Sequence, residues 1–306
     1  MFLLNKRCFH PKYWALALVL ALFWLLARLP ASWQLALGRG LGRSLHACSS
    51  KIRHIVRANL RACFPDESDT ENHESARHAC EELGMSIMET FRIWFRDSDA
   101  MLDGRVRWEG EAHLQALLEQ DRGIIVIACH FGSVDVNGAL LNKAKRGDRQ
   151  LIGTFRDTDP VVTDFLHSVR GEFSDRMLSA MDQRGVVKAL RKKSLVWYAP
   201  DIEVKNKNST FVPFMGVPAS TTLAIARLAK ATNAAVIPFV HYRLNEGLEY
   251  EARFLPALET VPSGDPEADT RAINEAIEQM IAPHPLRYWW AIKRFKHRPP
   301  GEAKVY

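Results

Sequence analysis

A single histidine sets the question. The apolar, β-branched run Gly123-Ile-Ile-Val-Ile-Ala-Cys129 is followed at once by His130-Phe-Gly-Ser-Val-Asp135. A buried strand ending on His130 places the imidazole at the carboxyl edge of a sheet, where open α/β sheets bind their ligands. Five positions within one helix rotate about 500°, so His130 and Asp135 could not face each other on a continuous helix. Gly132 permits a turn and Ser133 can cap, so a helix is predicted to begin between them. The Asp135 carboxylate can then reach the imidazole, fix its tautomer and stabilise the imidazolium. A histidine so held takes a proton from a substrate hydroxyl, a contribution of roughly 10²–10⁴ in rate. The plainer reading is a satisfied core histidine beside a solvated aspartate.

Two more polar side chains fall at predicted strand ends. Gly153-Thr-Phe-Arg156 closes one run. A guanidinium there can clamp a phosphate bidentately, or simply pair with Asp157 or Asp159. Tyr198-Ala-Pro-Asp201 closes another, and Asp201 is placed to orient Arg156 or a substrate hydroxyl. Phe211, Phe214, Gly216 and Pro218 suit an apolar wall beside an acyl chain, and suit ordinary core equally well. Cys129 adjoins His130, but neighbours on a strand point to opposite faces, which disfavours a Cys–His nucleophile. The absence of a Gly-x-Ser-x-Gly elbow argues against an α/β-hydrolase. The five cysteines are scattered and form no Cys-x-x-Cys, which fits a reducing compartment and neither a disulfide framework nor a zinc site.

The elements that must position these residues alternate. Strands are predicted at 123–129, 150–155, 195–198, 235–241 and 250–254, with helices at 133–145, 160–172, 182–192, 221–231 and 269–282. That pattern predicts an α/β fold, a mostly parallel sheet flanked by helices, over 104–306. Before it, 35–62 and 75–95 show helical spacing broken by Phe64-Pro-Asp-Glu67, so 31–103 reads as a helical, membrane-proximal layer. Residues 1–30 read as a tail and a membrane anchor, spanning or re-entrant. Tyr13 to Ala27 carries no charge, and Trp14 and Trp24 suit membrane interfaces. A cleaved signal peptide and a buried core helix are the competing readings; no convincing cleavage site follows. If the segment spans, the excess of basic residues between Arg28 and Arg61 puts the body in the cytoplasm.

The chain has 306 residues, 47% hydrophobic and 25% charged, which excludes disordered, collagen-like and polytopic membrane classes. Its charge is uneven: ten Lys and Arg precede the first acid, Asp66. A basic head on a mildly acidic body implies an anionic partner surface. Lys293, Arg294, Lys296, His297 and Arg298, interleaved with Trp289, Trp290 and Phe295, form a second basic cluster that could meet headgroup phosphates. Alongside an apolar anchor, lipid is the preferred partner and nucleic acid is not expected.

In combination these blocks resemble the glycerolipid-type acyltransferase superfamily, whose first motif is His-x4-Asp or His-x4-Glu. Gly153-Thr-Phe-Arg156 looks like its second block and Ala235-Val-Ile-Pro238 like its fourth. The glycerol-phosphate branch's Phe-Pro-Glu-Gly-Thr-Arg is absent; Tyr198-Ala-Pro-Asp201 and Phe211-Val-Pro-Phe-Met-Gly-Val-Pro218 stand in its place. That version resembles the late lipid A acyltransferases. His10-Pro-Lys-Tyr-Trp, Asn59-Leu-Arg-Ala-Cys-Phe-Pro65, Gly84-Met-Ser-Ile-Met-Glu-Thr90 and the segment from Trp290 to Gly301 agree. Two departures stand out: many lauroyl-transferring members have Glu where this chain has Asp135, and the loop Ile202–Asn208 lacks the family's usual acidic or Gly-rich form.

The resemblance implies an inner-membrane enzyme facing the cytoplasm. Its donor would be a fatty acyl thioester on acyl carrier protein, its acceptor a Kdo-bearing, phosphorylated lipid A precursor. His130 and Asp135 would be catalytic; Gly153, Arg156, Asp201, Phe214 and Gly216 would line the substrates. No metal or cofactor is called for. A glycerol-phosphate or lysophospholipid acyltransferase, and a non-catalytic membrane-anchored lipid-binding protein, remain the alternatives.

Overall fold

The computed structural model describes residues 10–145, 147–156, 158–205, 207–245 and 249–306. Lys6, Arg7 and Cys8 of the basic head, and Asp157 and Asn206, lie outside the described residues. Among the described residues four α-helices come first: α1 (Trp14–Leu26), α2 (Ala31–Cys48), α3 (Ser50–Cys63) and α4 (Asp69–Phe95). The predicted break at Phe64–Glu67 is present. After it, Ser68 and Glu71 cap α4 reciprocally, each side chain taking an orphan N–H of the first turn. The predicted helix over 35–62 is two helices, because Ser49 turns extended and caps α3 through Ile52 N. α2 and α4 approach closely: a Cβ on Gly84 would meet Gly38 O at 2.1 Å and Gly42 N at 2.6 Å.

The spanning form of the expected anchor is not found among the described residues. α1 has 13 residues, about 20 Å of helix against a hydrocarbon core of about 30 Å. Among the described residues no helix is long and apolar enough to cross a membrane. The reason is local: α1 stops at Leu26 before Arg28 and Pro30, and α2, though 18 residues long, has its apolar character interrupted by Arg39, Arg43 and glycines.

After α5 (Ser98–Leu102) come β1 (Val106–Glu109), α6 (Glu111–Leu118), β2 (Ile124–Ile127), α7 (Val134–Ala144), β3 (Leu151–Phe155), α8 (Pro160–Arg170), β4 (Arg176–Ser179), α9 (Gln183–Arg191) and β5 (Leu195–Tyr198). The hairpin β6 (Ser209–Phe214) and β7 (Val217–Thr222) follows, then α10 (Ala224–Thr232), β8 (Ala235–Leu244), β9 (Glu249–Phe254) and α11 (Pro266–Ile281). The main sheet has seven strands in the order β1-β9-β8-β2-β5-β3-β4; only β8 and β9 pair antiparallel. The fold is therefore the α/β class read from the sequence, with a mostly parallel sheet flanked by helices. The two edge strands, β1 and β4, were not among the predicted strands. Each is four residues long and carries charge (Val-Arg-Trp-Glu, Arg-Met-Leu-Ser), as edges that must avoid further pairing usually do.

β2 lies in the middle and is buried on both faces. Ile125 and Ile127 join one core with Val196, Val236 and Ile277; Ile124 and Val126 join the other with Leu140, Leu195 and Trp197. This two-sided burial explains why its sequence is uniformly apolar rather than alternating.

Candidate active site

β2 and β5 are parallel neighbours in register, with Ile127 opposite Tyr198. Both chains leave the sheet together, and Ala128 N still donates to Tyr198 O at 2.9 Å. His130 and Asp201 then lie at the same remove, the third residue past each strand. Asp201 receives two hydrogen bonds from His130: the backbone N–H to Oδ2 at 2.7 Å and Nδ1 to Oδ1 at 2.8 Å. Asp201 is wholly buried and the His130 side chain is 16% exposed. With Nδ1 committed to a carboxylate, the proton sits on Nδ1, and Nε2 is the lone pair left to accept one.

Burial alone would raise the Asp201 pKa. The electrostatic interaction with His130, its two N–H donors and the nearby Arg294 guanidinium outweigh that and hold the carboxyl below its ordinary value. A single ionised acceptor bonded twice to the same residue fixes both the loop and the ring.

Asp135 does not hold the imidazole. It is the second residue of α7, past the Ser133 cap, and its oxygens take Arg170 Nε at 2.7 Å and Arg170 Nη2 at 3.2 Å. Gly132 makes the turn at φ +55°, and a Cβ there would lie 3.1 Å from His241 Nε2. The turn predicted before Asp135 therefore exists, and Ser133 Oγ accepts Val136 N as expected of a cap. What the turn delivers to the helix start is an ion pair tying α7 to α8.

The other expected site residues divide. Arg156 is exposed at the carboxyl end of β3 and has no ion-pair partner among the described residues. Asp159, which could have paired with it, caps α8 and takes Lys12 Nζ at 2.8 Å and Tyr13 Oη at 2.9 Å. Those donors hold the Asp159 carboxyl down at about 2. Gly153 faces inward: a Cβ there would meet Met177 Sδ at 2.4 Å, so the glycine serves β3–β4 packing rather than a substrate surface. Phe214 is wholly buried, with Tyr288 and Phe295 ring centroids at 5.6 and 6.3 Å and Arg294 over its face at 5.0 Å. It offers no free wall to an acyl chain. Gly216, with Met215, forms the positive-φ turn of the β6–β7 hairpin, and Met215 N donates to Glu278 of α11. Cys129 is buried, and burial first, then Asp201, pushes its thiol well up, so it is not a nucleophile.

The C-terminal basic cluster also differs from expectation. Lys293 and Lys296 are exposed, but Trp290, Arg294 and Phe295 are buried. Residues 287–298 form a strap against the His130 loop, none of it singled out for that role from the sequence. Trp289 N donates to His130 O at 2.8 Å, Trp289 Nε1 to Gly132 O at 2.7 Å, and Gly132 N to Arg287 O at 3.0 Å. The Trp289 ring stands edge-on to His130, with centroids 5.4 Å apart. Only one signal could have pointed to the His130–Asp201 pair: two apolar runs, each followed by a polar residue at the same three-residue overshoot.

The family described as bacterial lipid A biosynthesis acyltransferase matches residues 4–297. Escherichia coli K12 lipid A biosynthesis lauroyltransferase is 33% identical over 97% of this chain and 96% of its own length. The palmitoleoyltransferase of the same pathway and organism is 30% identical over 99% and 97%. The corresponding myristoyltransferase is 25% identical over 99% and 93%.

Proposed function

The chain belongs to the bacterial lipid A biosynthesis acyltransferase family, and on that premise we propose that it moves a fatty acyl chain from acyl carrier protein to a hydroxyl of a Kdo-bearing, phosphorylated lipid A precursor. It is an acyltransferase acting in lipopolysaccharide biosynthesis; the donor, the acceptor and the residue roles are the proposed part. The observation that carries them is the His130–Asp201 pair at the carboxyl edge of the central strands.

His130 Nε2 takes the proton of the acceptor hydroxyl, while Asp201 holds Nδ1–H and stabilises the imidazolium. The acceptor oxygen bonds to the thioester carbonyl carbon. Collapse of the tetrahedral intermediate breaks the C–S bond, and the departing thiolate takes the proton back from His130. Arg156, exposed and unpaired among the described residues, supplies a cation at the same sheet edge for a phosphate of donor or acceptor. Asp135 acts through Arg170 to seat the first turn of α7 beside the loop.

The membrane is approached by the N-terminal helices. Trp14, Leu18, Leu22 and Leu25 of α1 and Trp33 of α2 are exposed. Such a face suits shallow insertion at the inner-membrane interface, with the basic residues of α2 and α3 near anionic headgroups. Exposed basic residues also suit an acidic carrier protein, an attraction screened over about 8 Å at physiological salt.

The test is turnover of purified protein with acyl carrier protein thioester and lipid A precursor. His130→Ala and Asp201→Asn should each lower kcat at least ~10²-fold while the protein stays folded. Near-wild-type turnover by folded His130→Ala would discard the mechanism. Loss in Asp135→Asn with full activity in Asp201→Asn would return the role to Asp135. Equal use of acyl-CoA, without salt dependence, would discard the carrier-protein donor. Mass spectrometry of lipid A from a deletion strain should show one secondary acyl chain missing.

A further inference from the structure

His130 stands on a pendant loop. Past Ala128 the segment 129–133 leaves the sheet ladder, and its one internal backbone bond is Phe131 N to Cys129 O at 2.8 Å. Apart from Asp201, the bonds that fix the backbone of residues 130–132 come from outside the sheet: Trp289 N to His130 O, Trp289 Nε1 to Gly132 O, and Gly132 N to Arg287 O, with Phe131 bridged to Tyr288. The opposite partner has the same dependence. Beyond Asp201, Glu203 accepts His297 N at 2.6 Å and His297 Nδ1. Between these two grips Arg294 is fully buried and donates to Ser220 O at 3.1 Å and Thr221 Oγ1 at 2.8 Å. Ser220 Oγ in turn donates to Val204 O, the residue after Glu203.

We propose that the strap, residues 287–298, is the positioning element of the His130–Asp201 pair: Trp289 grips the histidine loop, His297 grips the aspartate loop through Glu203, and buried Arg294 keeps the two grips in register. The proposal rests on the reading of His130 as the general base. The two loops leave neighbouring strands together, but past Ala128 no ladder joins them; they meet only where His130 bonds Asp201, so their spacing also depends on an element that braces both. The strap does so, and its Trp289 ring also limits how far the imidazole can turn about its Cα–Cβ and Cβ–Cγ bonds. A displacement of about 1 Å at a reacting group can cost ~10²-fold in rate. Loss of positioning appears in kcat, since neither Trp289 nor His297 is assigned a substrate contact.

The experiment uses the full chain with two variants, Trp289→Phe and His297→Gln. Trp289→Phe keeps a ring beside His130 but removes the indole N–H; His297→Gln keeps a polar side chain but removes the imidazole from Glu203. Each should lower kcat about tenfold or more with KM for both substrates unchanged. Imidazole ¹⁵N shifts should report a single Nδ1–H tautomer at His130 in the wild type and a mixture in each variant. Val186→Ala, in the same core and outside the strap, supplies the stability control: it lowers Tm and leaves the tautomer single. Wild-type kcat and a single tautomer in both strap variants would overturn the proposal, as would losses of kcat that merely follow Tm along the line set by Val186→Ala. The tautomer does not depend on turnover. A mixed tautomer in variants of a protein whose His130→Ala form is still active would sustain the strap and reject His130 as the base.

Discussion

Trp14, Trp24 and Trp33 are 60, 45 and 64% exposed, whereas Trp290, Arg294 and Phe295 are 1% exposed or less. Both stretches combine aromatic rings with basic residues, and the sequence offered both as membrane contacts. The difference lies in partners. α1 is apolar on every side, so packing against α4 and α8 through Leu16, Leu20 and Phe23 leaves its other faces bare. Arg28 closes that helix by lying over Trp24 at 4.5 Å and donating to Phe95 O, both at the surface. The strap instead meets polar partners that satisfy its own donors and acceptors. Arg294 finds a carbonyl, a hydroxyl and an aromatic face, and Asn59 of α3 donates to Trp290 O at 2.6 Å and Ile292 O at 2.8 Å. Composition therefore shows that a segment can be amphipathic; the acceptors it meets decide whether it is buried.

The contrast can be broken most strongly at Trp290. Truncation to alanine removes a fully buried indole and should cost about 3–5 kcal/mol, read by urea unfolding. Arg294→Met should cost less, about 1–3 kcal/mol, because Ser220 O and Thr221 Oγ1 lose a donor while the side-chain volume is kept. The same region should be acid-sensitive. His241, buried under Gly132 beside Arg243 and Arg287, has its pKa lowered to about 3, by burial first and the two guanidiniums next. The unfolded chain then binds a proton near pH 6.5 that the folded chain refuses until about pH 3. Stability should fall as pH falls through that window, by up to about 1.4 kcal/mol per unit. His241→Gln should flatten that slope, and an unchanged slope would assign the acid sensitivity elsewhere. At the other extreme, Leu18→Ser with Trp33→Ser should change stability by no more than about 0.5 kcal/mol per site. Their effect should appear in co-sedimentation with anionic vesicles, which should weaken; intact binding would remove α1 and α2 from the membrane contact.

The parts of the fold legible in the sequence were those buried on both faces. β2 and β5 announce themselves as Ile-Ile-Val-Ile and Leu-Val-Trp-Tyr because each strand is covered on two sides. β1 and β4 were hidden because each is four residues long, only partly buried and charged, and the β6–β7 hairpin because its Pro213 and Pro218 read as turn residues. At the site, the position of His130 and the turn at Gly132 followed from local chemistry. The partner of His130 did not. Asp135 is near in sequence, whereas Asp201 becomes a neighbour only through the β2–β5 register, a long-range pairing that no local pattern encodes. Arg170, Trp289 and His297 were illegible for the same reason.

The strap also sets an order of events during synthesis. Every strand of the sheet precedes residue 255, and His130 and Asp201 are long finished when Trp289 and His297 are joined. At roughly 5–20 residues per second, the growing chain spends several seconds with the sheet's sequence complete and both loops ungripped. During that interval the exposed face of α1 is already available to a bilayer. The loops that carry His130 and Asp201 are braced last, after every strand they leave has been made, and a reaction that needs the strap can begin only when the chain is nearly complete.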